Sequence, residues 1–134
     1  MNKSILLNRS ITENFDYSEF TCPCCMGLRL TQRFYLHVEK LQIIRRELGI
    51  PVYVTSGYRC WDHNAAIGGV TKSEHLEFAS DVFPEDMKLL DKMYRIAKEL
   101  QFTGIGRYDT FIHLDFRKVP AKWDNRSEYG KRNM

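Results

Sequence analysis

The chain has 134 residues, 43% apolar, 28% charged and 13% aromatic, and 20 Lys and Arg against 17 Asp and Glu leave a net charge of +3. That length suits one domain able to bury its own core, and the ordinary composition excludes a repetitive or low-complexity chain. The basic residues are scattered apart from the stretch Arg126 to Arg132, so the basic stripe with interleaved aromatics that would mark a nucleic-acid binder is missing.

The N-terminal stretch M-N-K-S-I-L-L-N-R-S carries three consecutive apolar residues, too few for a secretory signal or a membrane span. The expectation is a chain made in the cytoplasm without a signal peptide, forming a single domain over 1–134 with mobile ends at 1–12 and 125–134. Next comes C-P-C-C, which together with Cys60 makes four thiols at Cys22, Cys24, Cys25 and Cys60. They suit a structural staple, either a cysteine-rich zinc site or a disulfide to the later S-G-Y-R loop. Buried free cysteines weigh about equally against a staple, and no partnered Cys-His order supports a catalytic thiol.

From Thr31 to Leu48 the residues Phe34, Val38, Leu41, Ile44 and Leu48 recur at three and four, which predicts an amphipathic helix stopped by Gly49 and Pro51. Pro51 to Thr55 reads as a strand delivering the loop S-G-Y-R-C. A short helix over Asp62 to Ile67, closed by Gly68-Gly69, leads into S-E-H, and Ala79 to Phe83 reads as a strand stopped by Pro84. Asp86 is placed to cap a second helix carrying Met87, Leu90, Met93, Ala97 and Leu100 inward, with Gly104 just beyond it. After G-I-G-R-Y and a turn at Asp109-Thr110, alternation in F-I-H-L-D-F sends Ile112, Leu114 and Phe116 to one face and Phe111, His113 and Asp115 to the other. Strands and helices do not alternate as βαβ units. The fold class expected is α+β, a small, largely antiparallel sheet packed against two main helices.

A hydrolytic zinc site needs three nitrogen or oxygen ligands and an open fourth position, and His75, Asp81 and His113 supply such a set. Any one of these histidines alone would more simply be a hydrogen-bonded structural residue. The set gains weight from its company. S-G-Y-R, His63-Asn64, Gly68-Gly69, S-x-H, A-x-D, G-I-G-x-Y and F-I-H-x-D-x-R, with Trp123 beyond, run in that order, and N-F-D-Y-S-E-F precedes them from Asn14.

In order and spacing these motifs resemble the zinc D-alanyl-D-alanine carboxypeptidases, which share a zinc fold with the hedgehog signalling domain and with bacterial and phage peptidases of peptidoglycan. The resemblance implies Zn2+ held by His75, Asp81 and His113, and Arg59 reaching the carbonyl or carboxylate of the substrate. A guanidinium suits that task because it forks two donors onto a carboxylate or oxyanion, which Lys cannot do. Ser56, Tyr58, His63, Ser73 and Tyr108 fall on the substrate side of the same motifs. The substrate implied is a peptidoglycan stem or cross-bridge peptide containing D-amino acids, cut by a monomer without nucleic-acid partner or membrane span. A bare domain of this type fits a phage or prophage product acting on the cell wall after release.

Two departures from the family pattern carry expectations. H-L-E-F-A-S-D leaves five residues between His75 and Asp81 where the family has six with a glycine, and Phe78 stands near the glycine's place. On one continuous strand that loss would turn one ligand to the wrong face, whereas a turn would absorb it. Related enzymes often place a Glu three residues before the second His, where this chain has Thr110. Asp109 and Asp115 are then the nearby candidates for the general base, with an orienting role on His113 favoured for Asp115. The alternatives to an enzyme are a hedgehog-type scaffold that binds peptidoglycan or a protein partner without hydrolysis, and a cysteine-zinc interaction module.

Overall fold

The structure, a computed structural model, describes residues 9–70 and 72–127. Residues 1–8 of the expected N-terminal arm and 128–134 of the expected tail, including Lys131 and Arg132 of the basic stretch, lie outside the described residues. The described part of the arm begins with β1 (Ser10–Thr12), which pairs antiparallel with β2 (Phe15–Asp16) and runs into a 3-10 turn over Tyr17–Phe20. Neither short strand has enough residues to print a period on the sequence. Phe15 and Phe20 anchor this segment in the core.

Helix α1 (Gln32–Leu48) forms where the apolar stripe predicts it. The Thr31 side chain accepts the Phe34 N–H at 3.1 Å, filling one of the donors a helix start leaves open. Gly49 ends the helix at φ 69°, a left-handed conformation that costs a glycine little. Phe34, Val38, Leu41 and Ile44 are fully buried, and Leu48 nearly so.

There follow β3 (Val52–Ser56), α2 (Trp61–Ala66), a 3-10 turn over Glu74–Leu76 and β4 (Ala79–Pro84). A 3-10 turn at Met87–Leu89 then enters α3 (Leu90–Glu99), followed by β5 (Gly104–Arg107), β6 (Ile112–Asp115) and β7 (Ala121–Asp124). Met87 corrects the sequence expectation. Its turn winds at 3.0 rather than 3.6 residues, taking it off the stripe of α3, and it is 44% exposed while Leu90, Met93 and Ala97 are buried.

The sheet order is β3-β4-β6-β5-β7, antiparallel except for the β5–β7 pair. The fold is therefore the expected α+β class. Tyr108 N–H donates to the Phe111 carbonyl at 3.0 Å, which places Asp109 and Thr110 at the tip of the β5–β6 hairpin. Ile112 and Leu114 point into a core shared with both long helices, leaving His113 and Asp115 on the opposite face of β6. Among the described residues no helix is long and apolar enough to cross a membrane.

Candidate metal centre

Asp81 and His113 are register partners on the two adjacent strands β4 and β6. His75 comes from the 3-10 turn before β4, not from the strand itself. The shortened spacing is thus absorbed in a turn, and the two ligands never compete for one face of a strand. Glu77, which closes that turn, has φ −91°, so nothing there calls for glycine. Phe78 is fully buried, with ring centroids 5.7 Å from Phe20, 4.9 Å from Phe34 and 4.7 Å from His37. It fastens the short connection to the core between the two ligands.

The side chains converge on the Asp81 carboxylate: His113 Nδ1 lies 3.0 Å from Oδ1, and His75 Nε2 lies 3.4 Å from Oδ2. One donor atom from each residue falls within 4.8 Å of the other two. The outer ring nitrogens are already engaged. His75 Nδ1 meets the Gly57 carbonyl at 2.7 Å, and His113 Nε2 meets Asp115 Oδ2 at 2.7 Å. Carbonyl and carboxylate oxygens only accept, so these outer nitrogens carry the protons and, in the neutral rings, both inner nitrogens present lone pairs. Three acceptors then face one another around a point that a cation, or extra protons, must fill. A tetrahedral zinc with bonds of 2.0–2.1 Å would space its ligands by about 3.4 Å, close to the contacts seen. The donor set fits a zinc-type ion.

The same contacts set the charge state when protons rather than a cation fill that point. Burial alone would raise the Asp81 carboxyl, but hydrogen bonds from His113 and His75 outweigh it and hold the group well below the usual carboxylate range. Burial would lower His113, yet its contacts with Asp115 and Asp81 raise it. Asp115 is fully buried; its own burial is outweighed by His113 and by Arg117, whose backbone N–H, Nε and Nη2 reach the carboxylate at 2.9, 3.0 and 2.6 Å. Opposite it stands Gly104, where a Cβ would collide with the Asp115 carboxylate.

A cleft of about 480 Å³ opens over the three donors. Arg59, Ser73 and Tyr108 line it. Arg59 is fixed by its backbone N–H to the His75 carbonyl at 2.9 Å, and its guanidinium sits 3.9 Å from Asp81 and 3.4 Å from Asn64. Its buried Nε has no hydrogen-bond partner among the described residues. Trp123 packs against the His113 ring at 5.3 Å and donates from Nε1 to the Tyr108 hydroxyl at 3.0 Å, while Arg117 lies over the indole.

Other expected residues fall elsewhere. Tyr58 lines a neighbouring groove with Arg29 and Trp61, Ser56 pairs opposite Asp81 within the sheet, and the His63 N–H is turned to the Cys60 sulphur. Asp115 lies behind His113 instead of lining the cleft, and Asp109 accepts the Ser127 N–H. Sequence reasoning missed Glu74 and Arg117 as cleft residues. The S-E-H motif put Glu74 beside a ligand, but chain adjacency alone does not say which way a loop side chain turns. Cys22, Cys24, Cys25 and Cys60 gather into a second cluster.

An aspartate held between two oriented imidazoles lies on the floor of an open cleft in a small α+β domain, an arrangement that suits a metallopeptidase type of centre. The pattern of the peptidase M15 family matches residues 13–115 of the 134, a span that includes all three donors. The chain belongs to the peptidase M15 family, whose members are metal-dependent peptidases. A search of curated proteins returns no match.

Proposed function

We propose that this chain is a zinc peptidase of D-amino-acid-containing cell-wall peptides, acting as a carboxypeptidase or an endopeptidase. The observation that carries the reading is the convergence of three acceptors on one point with a guanidinium beside them in an open cleft. His75 Nε2, Asp81 and His113 Nδ1 would hold the ion. Bound there, zinc supplies Lewis acidity toward a peptide carbonyl and a water acidified to a pKa of about 7.

The rest is done by the chain itself. The Gly57 carbonyl and Asp115 fix the two imidazole tautomers, so the ligands need no reorganisation. Arg59 offers donors to the carbonyl oxygen as charge builds on it, or to a terminal carboxylate. Tyr108, Trp123 and Arg117 make the wall against which a peptide lies. Among the described cleft residues Glu74 is the carboxylate outside the ligand set, and it is the group available to take a proton. It is held by Arg33 at 2.6 Å. That ion pair favours a second reading, a scaffold that binds peptidoglycan fragments without cutting them.

The test is hydrolysis of D-Ala-D-Ala and L-Ala-D-Glu stem peptides by the zinc-loaded protein, followed by mass spectrometry. Arg59→Lys is expected to lower turnover by about 10²- to 10³-fold, the loss seen when one oxyanion donor is removed, and Glu74→Gln to lower it further at unchanged zinc. Binding of muropeptides without cleavage of any of them would establish the scaffold reading.

A further inference from the structure

The peptidase reading leaves four sulphurs unused. Cys22, Cys24 and Cys60 form a triangle with Sγ–Sγ separations of 3.5, 3.5 and 3.1 Å, and Cys25 completes a group whose sulphurs all lie within 4.8 Å of one another. A disulfide would satisfy one edge of this group and strand the other two sulphurs. Four thiolates around zinc, with Zn–S bonds of about 2.3 Å, would stand about 3.8 Å apart, a spacing the cluster reaches by small side-chain shifts.

The surrounding backbone is arranged for negative sulphur. The Cys60 N–H points at Cys22 Sγ, the Gly27 N–H at Cys25 Sγ and the His63 N–H at Cys60 Sγ, each at 3.4 Å. Amide dipoles so directed stabilise thiolate over thiol. The segment from Cys22 to Gly27 folds back on itself through Met26 N–H to the Cys22 carbonyl at 2.7 Å and Cys22 N–H to the Gly27 carbonyl at 2.9 Å. Three sulphurs are thereby presented by one tight turn and the fourth by the loop after β3.

We propose that Cys22, Cys24, Cys25 and Cys60 form a structural zinc site, separate from the His75–Asp81–His113 centre, that fastens the N-terminal segment to the loop carrying Arg59. The placement gives the staple a purpose. Arg59 immediately precedes Cys60, and the loop is already bridged on both sides, by Tyr58 N–H to the Phe20 carbonyl and Arg59 N–H to the His75 carbonyl, both at 2.9 Å. An ion on Cys60 fixes the chain at the next residue. Four protein ligands fill its tetrahedron, leaving no position for water or substrate, so its contribution is to folding and to the position of Arg59.

Zinc is counted per chain in protein purified under reducing conditions, and Co(II) is then exchanged in. Wild type is expected to hold two zinc ions per chain. His75→Ala retains one and keeps the thiolate-to-cobalt charge-transfer absorption. The double variant Cys24→Ser, Cys25→Ser retains one and loses that absorption, and amide exchange at Tyr58 and Arg59 accelerates. Should the double variant fail to fold, His75→Ala alone decides, because its residual metal must carry the thiolate signature. A single zinc in wild type without thiolate absorption, or a disulfide among these four cysteines in the zinc-loaded protein, overturns the proposal.

Discussion

His37 offers a direct test of how the core is electrostatically built. Its ring is fully buried against Phe78, Phe102 and Phe116, Nε2 shares a hydrogen bond of 2.6 Å with Ser80 Oγ, and Nδ1 has no partner among the described residues. Burial is the main cause that drives its pKa down to about 3; nearby His113, Arg33 and His75 add to it, and Asp115 opposes it. In the unfolded chain the ring titrates near 6.5. The folded pKa is the lower one, so the unfolded state takes up the proton first and stability falls as pH drops from about 6.5 toward 3. Each pH unit inside that window costs about 1.4 kcal/mol, which comes to about 2 kcal/mol between pH 7 and pH 5. For a chain of this size that is a fall in Tm of roughly 6–10 °C.

The assay is urea unfolding of wild type and His37→Gln at pH 7, 6 and 5, with Gln keeping a polar partner for Ser80. The variant starts less stable, but its pH slope is expected to be flatter by about 2 kcal/mol over the range. The depressed carboxylates Asp81 and Asp115 lose their contribution only below about pH 4, outside the window. His113, raised despite burial, acts in both proteins and cancels in the difference. Equal slopes in the two proteins would refute the assignment of a neutral, desolvated His37.

Phe78→Ala is expected to cost about 3–5 kcal/mol, because the cavity opens among three aromatic rings that cannot collapse together; calorimetry measures it. Asp115→Asn should weaken zinc at His75, Asp81 and His113 by about 10- to 100-fold in chelator competition, and unchanged affinity would deny that Asp115 orients His113. Gly104→Ala should reproduce that loss without touching a ligand, since the new methyl occupies the space of the Asp115 carboxylate; normal zinc affinity in a folded variant would contradict the packing.

Local signals in the sequence were strong where one element speaks for itself. The stripe of α1, its Thr31 start and Gly49 stop, and the Asp109-Thr110 turn all depend on neighbours within a few residues. His75, Asp81 and His113 were picked out as a set because their motifs follow the order of a family the chain resembles, and the structure brings the three donors together. What resisted reading depends on partners far along the chain. Strand β7 is four residues long and pairs in parallel with β5, so no hairpin turn announces it. His37 and Gln42 sit on the apolar side of α1, and only Ser80 and the Thr12–Asn14 segment explain them. The place of Asp115 on the His113 face was visible from alternation, whereas its burial under Arg117 was not.

The three candidate metal donors are not anchored alike. The distance between Asp81 and His113 is dictated by hydrogen bonds between neighbouring interior strands, while His75 hangs from a connecting segment clamped at the Gly57 carbonyl. Two of the three candidate protein donors are therefore indifferent to surface-loop length, and the third travels with the loops that shape the cleft. Of these three donors, lineages or designers remodelling residues 57–76 to admit a different peptide would move His75, together with Arg59 of the same stretch. The strand pair serves as a fixed chassis, and changes of cleft shape reach the metal donors through His75.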